Sequence, residues 1–425
     1  MLSRRRFVQG MAGSLALSLA SRSRADAPPK GKGSGPKPAA PHYVVNILLA
    51  GGIDAVLSID PKSHADAPGV DAGYRSDERI RGRERMYGPL IGSLLRLDEE
   101  MCLVHGVRVD SVSHPEGHLI VSRGRITSAR STPVIGDVLG AALPGGAPIE
   151  HLCLADSAMP LLPMVARGYL STAVSLPPTF LKPRFAPGFV MPPRSTWSAR
   201  LLRDKMESAR KVFARDPAQL AEYERAQLQT DGLAQLLHTL PTATAFKDDQ
   251  LGYKLETAFQ AIQHNNARFI TVASDYLWFD SHTENLALQK RRLPTAFDDI
   301  AVFVERLKAA RNEHGSLMDE TTLVIGSEIG RFPRLNAAAG KDHWPENSWI
   351  LMGRGIKRQP GGLTVGATGP DYRGMAIDFD SGTATGEKRL PIFVDSIFAT
   401  LMQIAQVPLT ANGYRSDQVL RCVLG

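Results

Sequence analysis

Cysteine is scarce in this chain of 425 residues, which contains only Cys102, Cys153 and Cys422. Three cysteines cannot all pair, so a small protein held together by a disulfide framework is excluded. Cys102 and Cys153 lie in apolar runs, where buried free thiols are the ordinary expectation, and a disulfide between them stays open. No apolar run reaches the ~20 residues that a membrane-spanning helix needs, so no stable membrane span is expected.

Net charge is also lacking outside the N-terminal region. The whole chain carries 50 Lys and Arg against 43 Asp and Glu, which gives a formal charge of +7. Residues 1–41 hold eight of the basic residues and one acid, so residues 42–425 have no net charge. A nucleic-acid-binding protein needs a basic face on its folded part. We therefore expect no nucleic-acid partner.

The basic N-terminus has the features of an export signal. Three consecutive arginines, 4–6, precede a short and weakly apolar stretch at residues 11–20. This order is typical of a twin-arginine signal peptide, so the twin-arginine translocase is the expected partner during export of the folded protein. We predict a signal peptide at 1–27, with a cut nearer Ala20 or a retained leader as alternatives, and a Pro-, Gly- and Lys-rich linker at 28–41. The expected location is the periplasm or the extracellular space.

Residues 42–425 alternate short apolar runs with helical patterns. The runs are rich in β-branched residues, as strands are, and the segments between them place apolar residues three and four apart. This alternation predicts one α/β domain with a doubly wound, mostly parallel sheet flanked by helices. From about 159 to 245 the chain is rich first in proline and then in charge, and we interpret this part as an insertion that caps the sheet. The predicted strands are Tyr43–Ala50, Met101–Val107, His151–Ala155, Phe269–Ala273, Thr321–Gly326 and Ser348–Met352, and the predicted helices are Pro89–Leu97, His114–Ile126, Val134–Leu143, Phe297–Arg311 and Val394–Ala405.

Carboxylates and imidazoles follow several predicted strands, at the edge where a parallel sheet binds its ligands. Asp54 follows the first strand after two glycines, Asp280 and His282 follow the fourth, and Glu328 follows the fifth. A later loop supplies His343. Because these residues converge on one edge and carry the atoms that metal ions prefer, they predict a divalent-metal site. The alternative is that the acids are solvated loop residues and the histidines only donate and accept hydrogen bonds.

A serine at a predicted helix start lies near the same edge. Ser113 directly precedes the helix that opens with His114, and the free N–H groups of a helix N-terminus favour an oxyanion, a phosphate or a sulfate. A plain helix cap is the alternative function for this serine. We predict Ser113 as the nucleophile and His114 as a general acid, and whether Ser113 or a metal-bound water attacks stays open. His105, His151 and His264 are interpreted as structural.

Three segments, residues 47–54, 279–282 and 327–344, together resemble a twin-arginine-exported family called domain of unknown function 1501, within the alkaline phosphatase/sulfatase superfamily. The resemblance spans about 43–408 and implies an alkaline-phosphatase-like fold. It also implies two metal positions. The first would be held by Asp54, Glu328 and Ser113, and the second by Asp280, His282 and His343.

Three departures from the superfamily pattern are visible. Ile329 follows Glu328 where the superfamily usually has a metal-binding histidine, so the first metal position is expected to be weak or empty. Asp280 and His282 are closer in sequence than is usual, which leaves Asp275 as an alternative to Asp280. Gly117 stands where sulfatases carry an arginine, and this argues against sulfatase activity.

Together these features predict an exported, metal-dependent hydrolase of phosphate or related esters. It would hold one or two divalent ions, with Zn expected first and Mn, Mg or Ca as alternatives. Arg331 and Lys341 would contact a small anionic ester substrate, and Asp342 would orient His343. The alternative is a non-catalytic periplasmic binding or interaction protein that has the same fold and a degenerate metal site.

Overall fold

A computed structural model describes most of the chain from residue 40 onward. The predicted signal peptide at 1–27, nearly all of the linker and much of the predicted insertion lie outside the described residues. The described residues are 40–124, 133–156, 173–181, 216–241, 251–385, 391–410 and 416–425, with short pieces at 159, 185, 204, 207–214 and 244–246.

The described elements alternate between strands and helices along most of the chain. The strands are β1 (Tyr43–Leu48), β2 (Ile80–Arg81), β3 (Met86–Tyr87), β4 (Cys102–Arg108), β5 (Ile149–Leu154), β6 (Val174–Ser175), β7 (Ala267–Ala273), β8 (Arg311–Asn312), β9 (Gly315–Ser316), β10 (Thr321–Gly326), β11 (Gly330–Arg331), β12 (His343–Trp344), β13 (Glu346–Gly353) and β14 (Leu363–Val365). The α-helices are α1 (His114–Arg123), α2 (Ile135–Ala142), α3 (Pro178–Leu181), α4 (Pro217–Thr239), α5 (Gly252–Gln263), α6 (Asn285–Ala309) and α7 (Val394–Ile404). Short 3₁₀ helices occur at Ala55–Leu57, Ser76–Glu78, Gly92–Glu100, Leu317–Glu320, Ser416–Gln418 and Arg421–Val423.

Eight of these strands form the central sheet, in the order β14-β4-β13-β10-β1-β7-β5-β6. β1 lies between β10 and β7 and is parallel to both. β13 is antiparallel to its neighbours β10 and β4, and the other seven strands run in one direction. The predicted doubly wound, mostly parallel α/β sheet is therefore confirmed, and all six predicted strands are present.

Two predicted helices differ from the observed ones. The pattern at Pro89–Leu97 forms a 3₁₀ helix at Gly92–Glu100 rather than an α-helix. The helix predicted from Phe297 begins earlier, at Asn285, and carries Pro294 inside it. Proline is common in the first turn of a helix and rare in its interior, so the sequence predicts that the helix starts near Pro294. In the structure the helix has already begun at Asn285 and continues through Pro294.

The core lies on both faces of the sheet. β1, β10 and β13 are buried along their whole length, as expected for strands covered by helices on each side. Side chains of successive residues in β1 enter opposite clusters, Val45 and Ile47 with α5 and α6 and Val44 and Leu48 with α2 and α7. The sheet therefore forms a rigid base for the loops at its edge.

The cysteines and the helices settle two points about the described residues. Cys102, Cys153 and Cys422 are all free, and burial raises the pKa of the Cys153 thiol to about 12. No disulfide therefore joins Cys102 to Cys153. None of the described helices has the length and apolar character needed to cross a membrane.

Candidate metal centre

The carboxyl ends of β1, β7 and β10 lie side by side, so the loops that follow them meet at one edge of the sheet. The Gly51 amide donates to Oε1 of Glu328 at 2.7 Å, and the Phe279 amide donates to the Ala50 carbonyl at 2.9 Å. Gly51 has φ of +104°, and a Cβ at this position would lie 2.5 Å from the Asp280 nitrogen. Only glycine fits there, so this turn allows the segments that follow β1 and β7 to approach closely.

Asp280 lies at the centre of a group of imidazoles. Its Oδ1 is 3.4 Å from Nε2 of His282, 3.5 Å from Nε2 of His343 and 3.7 Å from Nε2 of His114. His114, Asp280 and His343 each offer an atom within 4.8 Å of the others. The sequence prediction that Asp280, His282 and His343 share one site agrees with these distances, and His114 joins them.

Each of the three imidazoles is held through its other nitrogen. Nδ1 of His343 is 2.6 Å from the Val112 carbonyl, Nδ1 of His282 is 2.9 Å from Asp342, and Nδ1 of His114 is 2.7 Å from Glu328. Carbonyl and carboxylate oxygens only accept, so each Nδ1 carries a hydrogen, and each ring in its neutral form directs an Nε2 lone pair away from its anchor. Histidines that bind metal ions are usually anchored in this way.

The free nitrogens converge in a manner that a metal ion would explain. Nε2 of His282 and Nε2 of His343 are 2.9 Å apart, so two lone pairs face each other unless a proton or a cation lies between them. Nε2 of His114 is buried and has no hydrogen-bond partner among the described residues. A tetrahedral ion with bonds of ~2.0–2.1 Å separates its ligand atoms by about 3.3 Å, close to the distances around Asp280. The residues present therefore fit a metal ion.

The charges of the cluster are strongly coupled. Burial raises the pKa of Asp280, but His114, His343 and Arg331 outweigh this effect, and its pKa lies well below the usual range. Burial also raises the pKa of Glu328, and the two histidines His114 and His118 overcome it and lower the pKa. Burial lowers the pKa of His114, whereas the carboxylates of Asp280 and Glu328 raise it to a net value above normal. Both carboxylates are therefore ionised near neutral pH.

Asp54 lies in a separate, closed pair. Its Oδ2 is 2.9 Å from Nζ of Lys341, and both side chains are 1% exposed. The Asn285 amide donates to the same oxygen at 2.8 Å. Asp54 was predicted as a metal ligand, but its partner in the structure is an ammonium group of the chain itself.

Arg331 and Lys341 are buried, in contrast to the predicted role of contacting substrate. The Arg331 side chain is 0% exposed and lies 2.9 Å from Asp280. Its guanidinium also donates to the carbonyls of Gly51, Gly52 and Lys341. We correct the prediction on this ground, because Lys341 neutralises the buried Asp54, Arg331 neutralises the partly exposed Asp280, and neither cation faces solvent.

Ser113 is exposed and precedes α1, and its side chain makes no capping hydrogen bond. The plain-cap alternative is therefore not observed. Ser113 stands between Val112, whose carbonyl anchors His343, and His114, whose ring lies in the cluster. His114, predicted as a general acid, directs Nε2 at Asp280 at 3.7 Å.

Two predicted positioning roles change. Asp342 was expected to orient His343, but its carboxylate contacts Nδ1 of His282. Asp275, the alternative to Asp280, pairs with Lys254 at 2.8 Å. Asp280 is therefore the carboxylate that lies among the imidazoles.

His118 was not assigned from the sequence. It is 0% exposed, and its Nε2 is 3.8 Å from Oε1 of Glu328, which also contacts His114. Residues four apart share one face of a helix, so the spacing of His114 and His118 in a predicted helix was the signal. Burial lowers the pKa of His118, which therefore stays neutral near pH 7.

Several solved structures share distant similarity. The lipoteichoic acid synthase LtaP from Listeria monocytogenes is 9% identical, with 89% of this chain and 74% of that chain covered and a TM-score of 0.40. A protein in the alkaline phosphatase superfamily from Vibrio parahaemolyticus is 10% identical, with 87% and 68% covered and a TM-score of 0.37. The soluble domain of lipooligosaccharide phosphoethanolamine transferase A from Neisseria meningitidis is 8% identical, with 92% and 95% covered and a TM-score of 0.39.

A family model matches part of the chain directly. The match covers residues 241–378, which include Asp280, Glu328 and His343, and the family is described as "Protein of unknown function (DUF1501)". No curated protein matches the sequence. Residues 241–378 therefore match the DUF1501 family model, and this part of the chain contains two of the three segments on which the resemblance rests, 279–282 and 327–344.

Proposed function

We propose that the protein is a metal-dependent hydrolase of phosphate or related esters. The observation that carries this proposal is the convergence of three anchored imidazoles on Oδ1 of Asp280, with two of the Nε2 atoms only 2.9 Å apart. Fully satisfied structural histidines do not leave such a set of free nitrogens. A site of this kind at the carboxyl edge of a parallel sheet is where substrates of α/β enzymes bind.

Asp280 and the imidazoles of His114 and His343 would hold the ion, and His282, whose Nε2 is 3.4 Å from Oδ1 of Asp280, would be a further ligand. Imidazole nitrogens suit Zn, whereas Mg and Ca prefer oxygen ligands, so we expect Zn. A bound divalent ion would polarise a phosphoryl oxygen and stabilise negative charge in the transition state. Arg331, 2.9 Å from Asp280, would hold that carboxylate ionised and in place.

Ser113 is the nucleophile that this proposal favours. Its hydroxyl is exposed, and it stands at the N-terminus of α1, where free N–H groups and the helix dipole attract a phosphate group. The neighbouring backbone is held against the imidazole cluster by the contact between Val112 and His343. A water molecule beside the same phosphate is the alternative nucleophile.

The test compares Ser113→Ala with Asp280→Ala. With a chromogenic phosphate ester, Ser113→Ala is expected to lose at least ~100-fold in kcat with its metal content unchanged, because nucleophile and ligands are different residues. Asp280→Ala is expected to lose both turnover and metal. Ser76→Ala, which alters an exposed serine at the start of another helix, is the matched control and should behave as wild type.

A binding protein with the same fold is the second candidate function. The observation that favours it is the closure of Asp54 by Lys341, together with Ile329 beside Glu328. Metal-loaded wild type that hydrolyses neither phosphate nor sulfate esters would support this candidate and reject the hydrolase.

Export through the twin-arginine pathway is also part of the proposal, and it rests on the sequence at residues 1–27. Replacing Arg4, Arg5 and Arg6 by lysine keeps the charge but removes the motif that the translocase reads. The variant is expected to remain in the cytoplasm while wild type reaches the periplasm. Equal periplasmic amounts of both proteins would reject this route.

A further inference from the structure

The pair of Asp54 and Lys341 stands where the resemblance implies a first metal. Its atoms are 2.9 Å apart and both side chains are 1% exposed, so the pair is closed to solvent. An ammonium group buried against a carboxylate already supplies the positive charge that a bound ion would supply. Asp54 is therefore neutralised within the chain.

Glu328, the other acid implied for that metal, already has hydrogen-bond partners on both of its carboxylate oxygens. Its Oε1 accepts from the Gly51 amide at 2.7 Å and contacts His114 at 2.7 Å, while Oε2 accepts from the Ser327 hydroxyl at 3.0 Å. Ile329 beside it is 0% exposed and has no metal-binding atom. These residues do not fit a first metal ion.

The fixed charges of the site favour a substrate with one negative charge. Apart from Asp342, whose carboxylate is 59% exposed and therefore screened by solvent, three carboxylates, those of Asp54, Asp280 and Glu328, face two buried cations, Arg331 and Lys341. One divalent ion among neutral imidazoles brings this local charge to about +1, whereas two ions would bring it to about +3. A phosphate monoester carries about −1.5 to −2 near neutral pH, and a diester carries one charge, because it lacks the second ionisable oxygen. The single negative charge of a diester therefore matches the net charge of a site with one ion.

Apolar side chains at the edge of the site would contact the second organic group that a diester carries. Val112, 54% exposed, precedes Ser113, and its carbonyl anchors His343. Phe332, 36% exposed, follows Arg331, and its ring packs edge-on against Trp344 at 5.2 Å. Single exposed apolar residues are ordinary, but these two lie on the segments that carry the metal-binding and nucleophilic residues.

We propose that the site takes a single divalent ion, with Lys341 as the fixed cation in place of a second, and that it prefers phosphodiesters to monoesters. This inference rests on the proposed function. In the net reaction, water adds to phosphorus and the bond from phosphorus to one ester oxygen breaks. The departing alkoxide takes a proton from the water, which leaves a phosphate monoester and an alcohol.

Metal stoichiometry tests the role of Lys341. Wild type purified with Zn is expected to hold about one ion, and Lys341→Gln about two at raised Zn, the second held weakly because only the freed Asp54 carboxylate is available to it. The Asp54→Asn, Lys341→Gln double variant removes both charges and should hold about one ion even where the single variant does not fold. Two ions in wild type, one ion in folded Lys341→Gln, or none in the double variant would each overturn the inference.

A comparison of two substrates tests the proposed preference for diesters. With bis(p-nitrophenyl) phosphate and p-nitrophenyl phosphate, the expected ratio of kcat/KM is at least ~10 in favour of the diester. Val112→Ser is expected to lower kcat/KM for the diester several-fold more than kcat/KM for the monoester, whereas Val212→Ser, at an apolar residue 68% exposed elsewhere, should change neither. A preference for the monoester would overturn this inference alone. No turnover of either ester by the metal-loaded protein would overturn the proposed function as well.

Discussion

One cluster of histidine and aspartate lies against the central sheet and another at its carboxyl edge, and they differ in how they use the second ring nitrogen. His151, on β5, is 1% exposed, and it contacts Asp137 through Nδ1 at 2.8 Å and Thr271 through Nε2 at 2.9 Å. His343 is anchored through Nδ1 by the Val112 carbonyl, and its Nε2 faces Asp280 and the Nε2 of His282.

The difference separates stability from function. A buried imidazole with two partners has no atom left for a ligand, so the cluster at His151 contributes to the fold alone. The cluster at Asp280 leaves three nitrogens directed at one oxygen. The lone pairs of these atoms repel one another unless a proton or a cation lies between them. The same residue types thus form a structural network in one place and a candidate metal centre in the other.

The largest expected effect comes from Asp280→Asn. The amide keeps the size of the side chain but loses the negative charge at the centre of the imidazoles, so we expect Zn affinity to fall at least ~100-fold. Competition with a chromophoric chelator measures this change. An unchanged affinity would remove Asp280 from the metal centre.

At the other cluster, Asp137→Ala is expected to have the opposite effect, a loss of stability with unchanged Zn affinity. It leaves Nδ1 of the buried His151 without its carboxylate, which should lower the free energy of unfolding by about 2–4 kcal/mol. Zn affinity should stay within about twofold of wild type, because the two clusters share no residue. Chemical denaturation and the chelator assay on the same preparation measure both quantities. A loss of Zn affinity without a loss of stability would contradict the assignment of the His151 cluster to stability alone.

Asp342→Ala should lower the affinity for the ion without destabilising the fold. Its carboxylate anchors Nδ1 of His282 at 2.9 Å, and groups of this kind contribute about 10–100-fold to metal affinity. The Asp342 side chain is 59% exposed, so the free energy of unfolding should change by less than about 1 kcal/mol. Asn336→Ala, which removes another contact of Asp342, serves as a weaker variant of the same test. Equal Zn affinity in wild type and Asp342→Ala would show that His282 does not bind the ion.

The pH dependence follows from His114, whose pKa is raised above 6.5 in the metal-free protein. The raised pKa stabilises the metal-free fold below about pH 6.5, and this contribution is lost as the pH rises through the folded pKa. Zn requires the neutral ring, so its affinity should rise over the same window, with one proton released per ion at the acid end. His114→Gln should reduce this dependence. Calorimetry in buffers of different ionisation enthalpy measures the proton release, and a pH-independent affinity between about pH 5 and pH 8 would exclude His114 as a ligand.

Much of the fold could be predicted because it depends on local patterns. The β-branched runs at β1, β7 and β10 are buried on both faces, and such runs are recognised without knowledge of their neighbours. The rule that ligands bind at the carboxyl edge of a parallel sheet, together with the later loop that carries His343, predicted that Asp280, His282 and His343 lie near one another, and the distances agree.

The charge pairs could not be predicted in this way. Lys341 reaches Asp54 across 287 positions of sequence, and Arg331 turns inward to the carbonyls of Gly51 and Gly52. Long side chains have many conformers, and sequence spacing does not say which buried carboxylate each one neutralises. Both cations therefore looked like substrate contacts until their burial was known.

The most direct test is the Zn K-edge X-ray absorption spectrum of wild type purified without chelators. The account predicts about one bound Zn with nitrogen and oxygen ligands at ~2.0–2.1 Å and outer-shell scattering from three imidazoles. The same signal should persist in Asp137→Ala and disappear in Asp280→Asn. Folded protein that binds no Zn, or Zn with sulfur ligands, would contradict the metal centre at Asp280.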